Sequence, residues 1–210
     1  VDALLFQPRL PDQLLTPMRP TSALALLVAL TLPAGCASLP APQSLTYLDE
    51  RTGITLTVVD APLVLARERR DLAANARDYL TLVAVTRNES GRVTPALLVH
   101  RWSTIDTRVT PSGAPIADPR LVIVADGRDI RLTTLQPVPR EFEPSSTHDL
   151  WRPKVSLVDT TVYRVDAATL RYIAQSERIS AFHDVPDDAL PFAMWRDGRL
   201  ALGRVAEDAR

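Results

Sequence analysis

Eighteen prolines stand among 210 residues, against only seven glycines. Proline lacks the amide that helix interiors and central strands require, so proline at this density divides a chain into short elements. Few segments keep a helical period for long. The composition therefore favours strands and loops over a helix bundle, and the length suits one domain with a sizeable core.

The strand pattern is clearest where apolar residues alternate. Ile54, Leu56 and Val58 are separated by threonines, which puts one apolar face inward at period two. Residues 45–49 form a partner strand through a turn at 50–53, and 63–67 follow Pro62 as a third. Residues 79–85 are almost continuously apolar, as a central strand covered on both faces should be. Asn88 to Gly91 reads as a turn, with 96–102 as the returning strand. Residues 121–125 lead into Asp126-Gly127 and 129–135 lead away, which predicts a tight hairpin with two positive-φ turn positions. The same dipeptide, Asp197-Gly198, predicts another hairpin between 192–196 and 200–205.

Helical signals are fewer. Asp71 begins a short alanine-rich stretch that predicts a helix over 71–77. Asp166 is placed to cap a helix reaching about Ser176, with Leu170, Ile173 and Ala174 as its inward stripe. Residues 155–163 and 179–182 resume the strand pattern, after a proline-rich loop at 136–153. The economical sum is a mostly β domain over 45–210, an antiparallel β-sandwich of Ig-like or related type with one or two short helices. An α+β arrangement is the alternative.

The amino-terminal segment has a different character. Met18-Arg19 precedes a short apolar run, residues 23–32, that ends in Leu32-Pro33-Ala34-Gly35 before Cys36, the single cysteine. A basic start, a short apolar core and small residues before a cleavage point have the physical form of an export signal. A spanning helix needs about 20 apolar residues, and Pro33 and Gly35 interrupt this run well before that. Residues 18–36 resemble the start of a bacterial lipoprotein precursor, with Pro33 at the branched position of the family pattern and the leucine one residue earlier. The resemblance implies cleavage before Cys36, diacylglycerol on its sulfur and an acyl group on the new amino terminus. It also implies the outer membrane of a Gram-negative cell, because Ala37 and Ser38 follow the cysteine where aspartate would retain the protein in the inner membrane. On this reading 18–35 are the signal, 36–44 the lipidated residue and its tether, and 1–17 an upstream extension ahead of a working start at Met18.

Chemistry is sparse downstream. His100, His148 and His183 lack the short spacing that lets two ligands face one metal, so each reads as a strand or surface histidine, with no metal site or further cofactor expected. No Gly-x-Ser-x-Gly elbow is present, neighbours on a strand such as Asp49-Glu50 point to opposite faces, and Asp187-Asp188 lies between prolines and reads as a turn. No catalytic residue is assigned. Arg67, Arg69 and Arg70 are interleaved with Glu68 and Asp71 and read as a solvated face. The net charge is −1, which gives no electrostatic case for nucleic acid. Trp102 and Trp195 are expected in the core or at its rim. Phe142, His148 and Trp151 cluster in the proline-rich loop as a partner-contact candidate, unless those aromatics fold the loop back onto the domain. The expected function is a non-catalytic binding or assembly-support domain, held to the membrane by lipid and facing the periplasm, with another envelope protein or a glycan as partner. The alternative is an envelope hydrolase with a dispersed site.

Overall fold

The structure is a computed structural model that describes residues 42–105, 120–143, 152–155, 158–183 and 190–209. Cys36 and its neighbours, His148, Trp151 and Asp187-Asp188 lie outside the described residues. Eleven antiparallel strands are described: β1 (Ser44–Asp49), β2 (Ile54–Val59), β3 (Leu63–Glu68), β4 (Arg77–Glu89), β5 (Arg92–Ser103), β6 (Leu121–Ala125), β7 (Arg128–Arg131), β8 (Thr133–Thr134), β9 (Asp159–Arg164), β10 (Ile179–His183) and β11 (Phe192–Arg196). Two helices, α1 (Ala167–Gln175) and α2 (Arg199–Asp208), complete the set. The mostly β, antiparallel class read from the sequence is what forms.

β4 and β5 make the long central hairpin, paired from Asp78↔Ser103 to Glu89↔Arg92. Its turn is Ser90-Gly91, with φ of 52° and 87°, and Asn88 Oδ1 accepts the Gly91 amide at 2.9 Å. Asp126-Gly127 adopts the same positive-φ pair, 48° and 82°, between β6 and β7, as the sequence predicted. The free edge of β4 is shared: β3 pairs along residues 77–82 and β2 along 85–88.

The strands belong to one sheet, in the order β7-β6-β10-β11-β3-β4-β5-β9-β8 with the β1–β2 ribbon added on β4. The two ends of that order are one continuous segment. Arg131 pairs with Val122 on β6, the Leu132 amide donates to the Leu121 carbonyl at 2.9 Å, and Thr133 pairs with Arg164 on β9. This run therefore joins β6 on one side to β9 on the other and closes the ring of pairings, as in a barrel. The sequence suggested two facing sheets. The hydrogen bonding differs because the strand after the Asp126-Gly127 turn leaves β6 at residue 132 and finds the free edge of β9.

β4 explains its own apolar run. Leu80, Leu82 and Ala84 face the main core with Leu97, Val99, Leu121 and Ile123, and α1 and α2 add Leu170, Ile173, Leu202 and Val205 to it. Val83 and Val85 face the opposite way into a second core with Ile54, Leu56, Val58, Leu98, Val162 and Phe142. Period two on a strand covered from both sides produces this division.

α1 starts where the sequence placed it. The Asp166 carboxylate accepts the Thr169 amide at 2.6 Å, and Leu170 and Ile173 are buried. Two other expectations differ. Residues 69–76 form successive turns instead of a helix, because they only have to close β3 onto β4: the Arg69 amide meets the Ala76 carbonyl at 2.8 Å. Asp71 caps nothing there and is held by the Arg69 guanidinium at 2.9 Å. Asp197-Gly198 opens α2 and not a hairpin, with Gly198 as the N-cap and Asp197 Oδ1 accepting the Arg199 amide at 3.0 Å. A Cβ at Gly198 would stand 2.2 Å from the Leu63 nitrogen, so only glycine allows the chain to cross β3 at this point.

Candidate functional site: a groove rimmed by arginines

Cross-strand partners share a face, and alternate residues along a strand share it too. Arg87 pairs with Thr94, two residues from Arg92; Arg164 pairs with Ala96 on one side and Thr133 on the other, two residues from Arg131. The register thus gathers four arginines, from β4, β5, β7 and β9, toward one end of the face that carries the second core. They border an open groove of about 800 Å³. Its apolar lining includes Ala96, Leu132, Leu135, Phe142 and Val165.

One wall is the segment 136–143, which contains a 3₁₀ turn at Arg140–Phe142. Phe142 is 7% exposed and lies in the second core, while His148 and Trp151, grouped with it in the sequence, lie outside the described residues. Two contacts fix this wall to the sheet. Arg51 Nη2 donates to the Arg140 carbonyl at 3.1 Å, and Arg87 Nε donates to the Glu141 carboxylate.

The four arginines are not equivalent. Arg87 is spent on Glu141 and on Glu89, whose Oε2 lies 2.7 Å from Arg87 Nη1. Burial opposes the charge on Arg87, and these two carboxylates outweigh it and hold its pKa above the usual value. Arg92, Arg131 and Arg164 are exposed and make no ion pair with an acidic side chain among the described residues. The acidic residue on the groove wall, Asp166, is committed to its helix cap. The Thr169 amide keeps its carboxyl below the ordinary value, so it stays charged but faces its own helix. The groove therefore presents a surplus of positive charge beside an apolar lining, which is the makeup of a ligand site.

Apart from Phe142, the described residues that the sequence singled out for function lie elsewhere. His100 is buried on β5 with Nδ1 2.9 Å from Thr160 Oγ1, and His183 is buried on β10 edge-on to Phe192. Among the described residues no group of three His, Cys, Asp or Glu side chains is arranged to hold a metal. The Arg67–Arg70 cluster is only in part the solvated face expected: Arg70 reaches Glu68 at 2.7 Å, but Arg67 and Arg69 both reach Asp78 on β4, at 3.1 and 3.0 Å, and the Arg67 side chain is 10% exposed, because it lies over the Phe192 ring. Trp102 is at the core rim, stacked on Tyr79 at 4.0 Å and donating to Thr81 Oγ1. Trp195 departs from expectation. It is 57% exposed, edge-on to Tyr79 and covered in part by Arg77, because it follows Met194, which packs toward the main core, and so stands on the outer face of the sheet.

The arginine groove was not read from the sequence. Its members are 5 to 77 positions apart and belong to strand ends, where arginine is ordinary; only register brings them together. No protein-family model, no curated protein and no solved structure matches the chain.

Proposed function

We propose that the chain is the precursor of an outer-membrane lipoprotein, acylated on Cys36, whose β domain holds another component of the envelope without catalysing a reaction. The residue pattern over 18–36 supports the anchor. Arg204 of α2 donates to the Pro42 carbonyl and β1 begins at Ser44, so the domain starts soon after the acylated residue and stays close to the bilayer. One acyl chain gives only marginal membrane binding, whereas the two or three of this modification make attachment effectively permanent.

The groove carries the binding part of the proposal. Three guanidiniums without acidic partners among the described residues cost little to leave in water, and they gain most when a ligand supplies the opposite charge.

Cell fractionation tests the anchor: Cys36→Ser should release the protein from the membrane fraction or block its processing, and unchanged fractionation refutes lipidation. Ala37→Asp should move it toward the inner membrane. Crosslinking in intact cells tests the binding role. A specific envelope component should be captured by the parent protein and lost with Arg131→Glu plus Arg164→Glu, and turnover of a cell-wall or lipid substrate without such capture would overturn the role.

A further inference from the structure

Taking the groove as a binding site, as proposed above, we infer that its ligand is a single anionic lipid, with a phosphate or carboxylate headgroup on the arginine rim and an acyl chain along the apolar lining. The rim supplies the first half. Arg92, Arg131 and Arg164 come from three different strands, β5, β7 and β9, and all three line the groove. A guanidinium binds such an anion through two parallel hydrogen bonds, and a headgroup with several oxygens can engage more than one at once.

The lining supplies the second half. Pro95, Ile130, Leu135 and Pro139 line the groove half-buried and offer no hydrogen bonds from their side chains, so a small free anion would leave their exposed parts in contact with water. A ligand with an apolar part covers them. The cavity, about 800 Å³, is within the range of small-molecule sites.

An acidic peptide fits less well for a reason that lies in the backbone. The main-chain groups of β5, β8 and β9 at the groove are engaged in the ladder, through Ala96↔Arg164 and Thr133↔Arg164. A peptide laid on this face would bring its own amides against apolar side chains with few partners, and unpaired amides are costly there. A lipid concentrates its polarity in one headgroup, which is where the guanidiniums stand. The wall is held for this purpose independently of the ligand, since Arg87 and Glu141 fix Phe142 without using any of the three rim arginines.

The test is photolabelling of the full chain in nonionic detergent with a photoactivatable single-chain phosphatidic acid. Labelled peptides should map to residues 92–96 or 130–142. Unlabelled lipid of the same kind should compete, while glycerol phosphate and a zwitterionic lipid of equal chain length should not. Arg131→Glu and Arg164→Glu, each separately and at unchanged melting temperature, should reduce labelling about tenfold, as expected when a charged hydrogen-bonding partner is removed. Competition by glycerol phosphate would mean that the headgroup alone is recognised, and competition by the zwitterionic lipid that the chain alone is; either overturns the inference. Labelling insensitive to both substitutions also overturns it. Displacement by an acidic peptide, or absence of labelling in a protein that still captures its envelope partner, would remove the lipid assignment and leave the binding role standing.

Discussion

Arg87 on β4 is ion-paired to Glu141, 54 residues further along the chain, and the Glu141 side chain is only 2% exposed while that of Arg87 is 23% exposed. The pair is asymmetric, because Arg87 has Glu89 as a second partner and some contact with water. Arg87→Ala leaves a buried carboxylate uncompensated and should cost about 3 kcal/mol or more. Glu141→Gln leaves Arg87 partly satisfied and should cost about 1–2 kcal/mol. Urea denaturation of both variants checks the order; equal costs would mean that Glu141 finds another partner when Arg87 is lost.

The two glycines of α2 should respond in opposite directions to alanine. At Gly198 a Cβ would stand 2.2 Å from the Leu63 nitrogen and 2.3 Å from the Pro62 carbonyl carbon, and backbone cannot give way cheaply. Gly198→Ala should therefore destabilise by about 3 kcal/mol or prevent folding, by separating α2 from β3. At Gly203 the nearest atom is the Ala174 Cβ at 3.6 Å, an ordinary contact. Gly203→Ala should stabilise by about 0.5–1 kcal/mol, since alanine restricts the unfolded chain and favours helix. Thermal melts of the pair separate the two effects.

Stability should fall in acid in a defined window. Asp126 accepts the amides of Arg178 at 2.9 Å and Glu177 at 3.2 Å, and Asp166 accepts that of Thr169. These backbone bonds hold both carboxyls below their ordinary value of 3.8. Because the folded pKa is depressed, the stabilisation is complete above the unfolded value and is lost as pH falls through the folded one. The denaturation midpoint should be insensitive to these groups above about pH 5 and decline below about pH 4. Asp126→Asn should lower the neutral plateau and flatten the acid limb, a shape that a titration of midpoints against pH reads directly.

Leu170 and Leu200 carry the same side chain in opposite environments. Leu170 is fully buried between α1, α2 and the sheet, whereas Leu200 is 76% exposed. Leu170→Ala should cost about 3 kcal/mol from lost burial and the cavity left behind. Leu200→Ala should remain within about 0.5 kcal/mol of the parent. Chemical denaturation distinguishes them, and a large effect at Leu200 would show that its exposed surface is covered in solution.

What could be read in the sequence depended on a few adjacent residues. Ile54, Leu56 and Val58 announced β2 by alternation, Asp126-Gly127 announced its hairpin by tolerance of positive φ, and Asp166 with Leu170 and Ile173 announced α1 by cap and period. Asp197-Gly198 misled because aspartate and glycine suit both a hairpin turn and a helix start. The deciding features were non-local: the crossing of Gly198 over Leu63, and the burial of Ala201, Leu202, Val205 and Ala206 against the core. Trp195 is exposed because β11 turns Met194 and not Trp195 toward the main core, a choice of face that its local pattern does not mark.

The chain by itself determined where β2, β4 and β5 run, where Ser90-Gly91 and Asp126-Gly127 reverse it and where α1 begins, since these depend on φ, ψ and capping within a few residues. Tertiary structure alone decided that Leu132 joins β6 to β9 and that Arg92, Arg131 and Arg164 meet at one groove. Those outcomes depend on which free edges pair once both faces of β4 are buried, and edges far apart in the chain leave no local trace of the partner they will find.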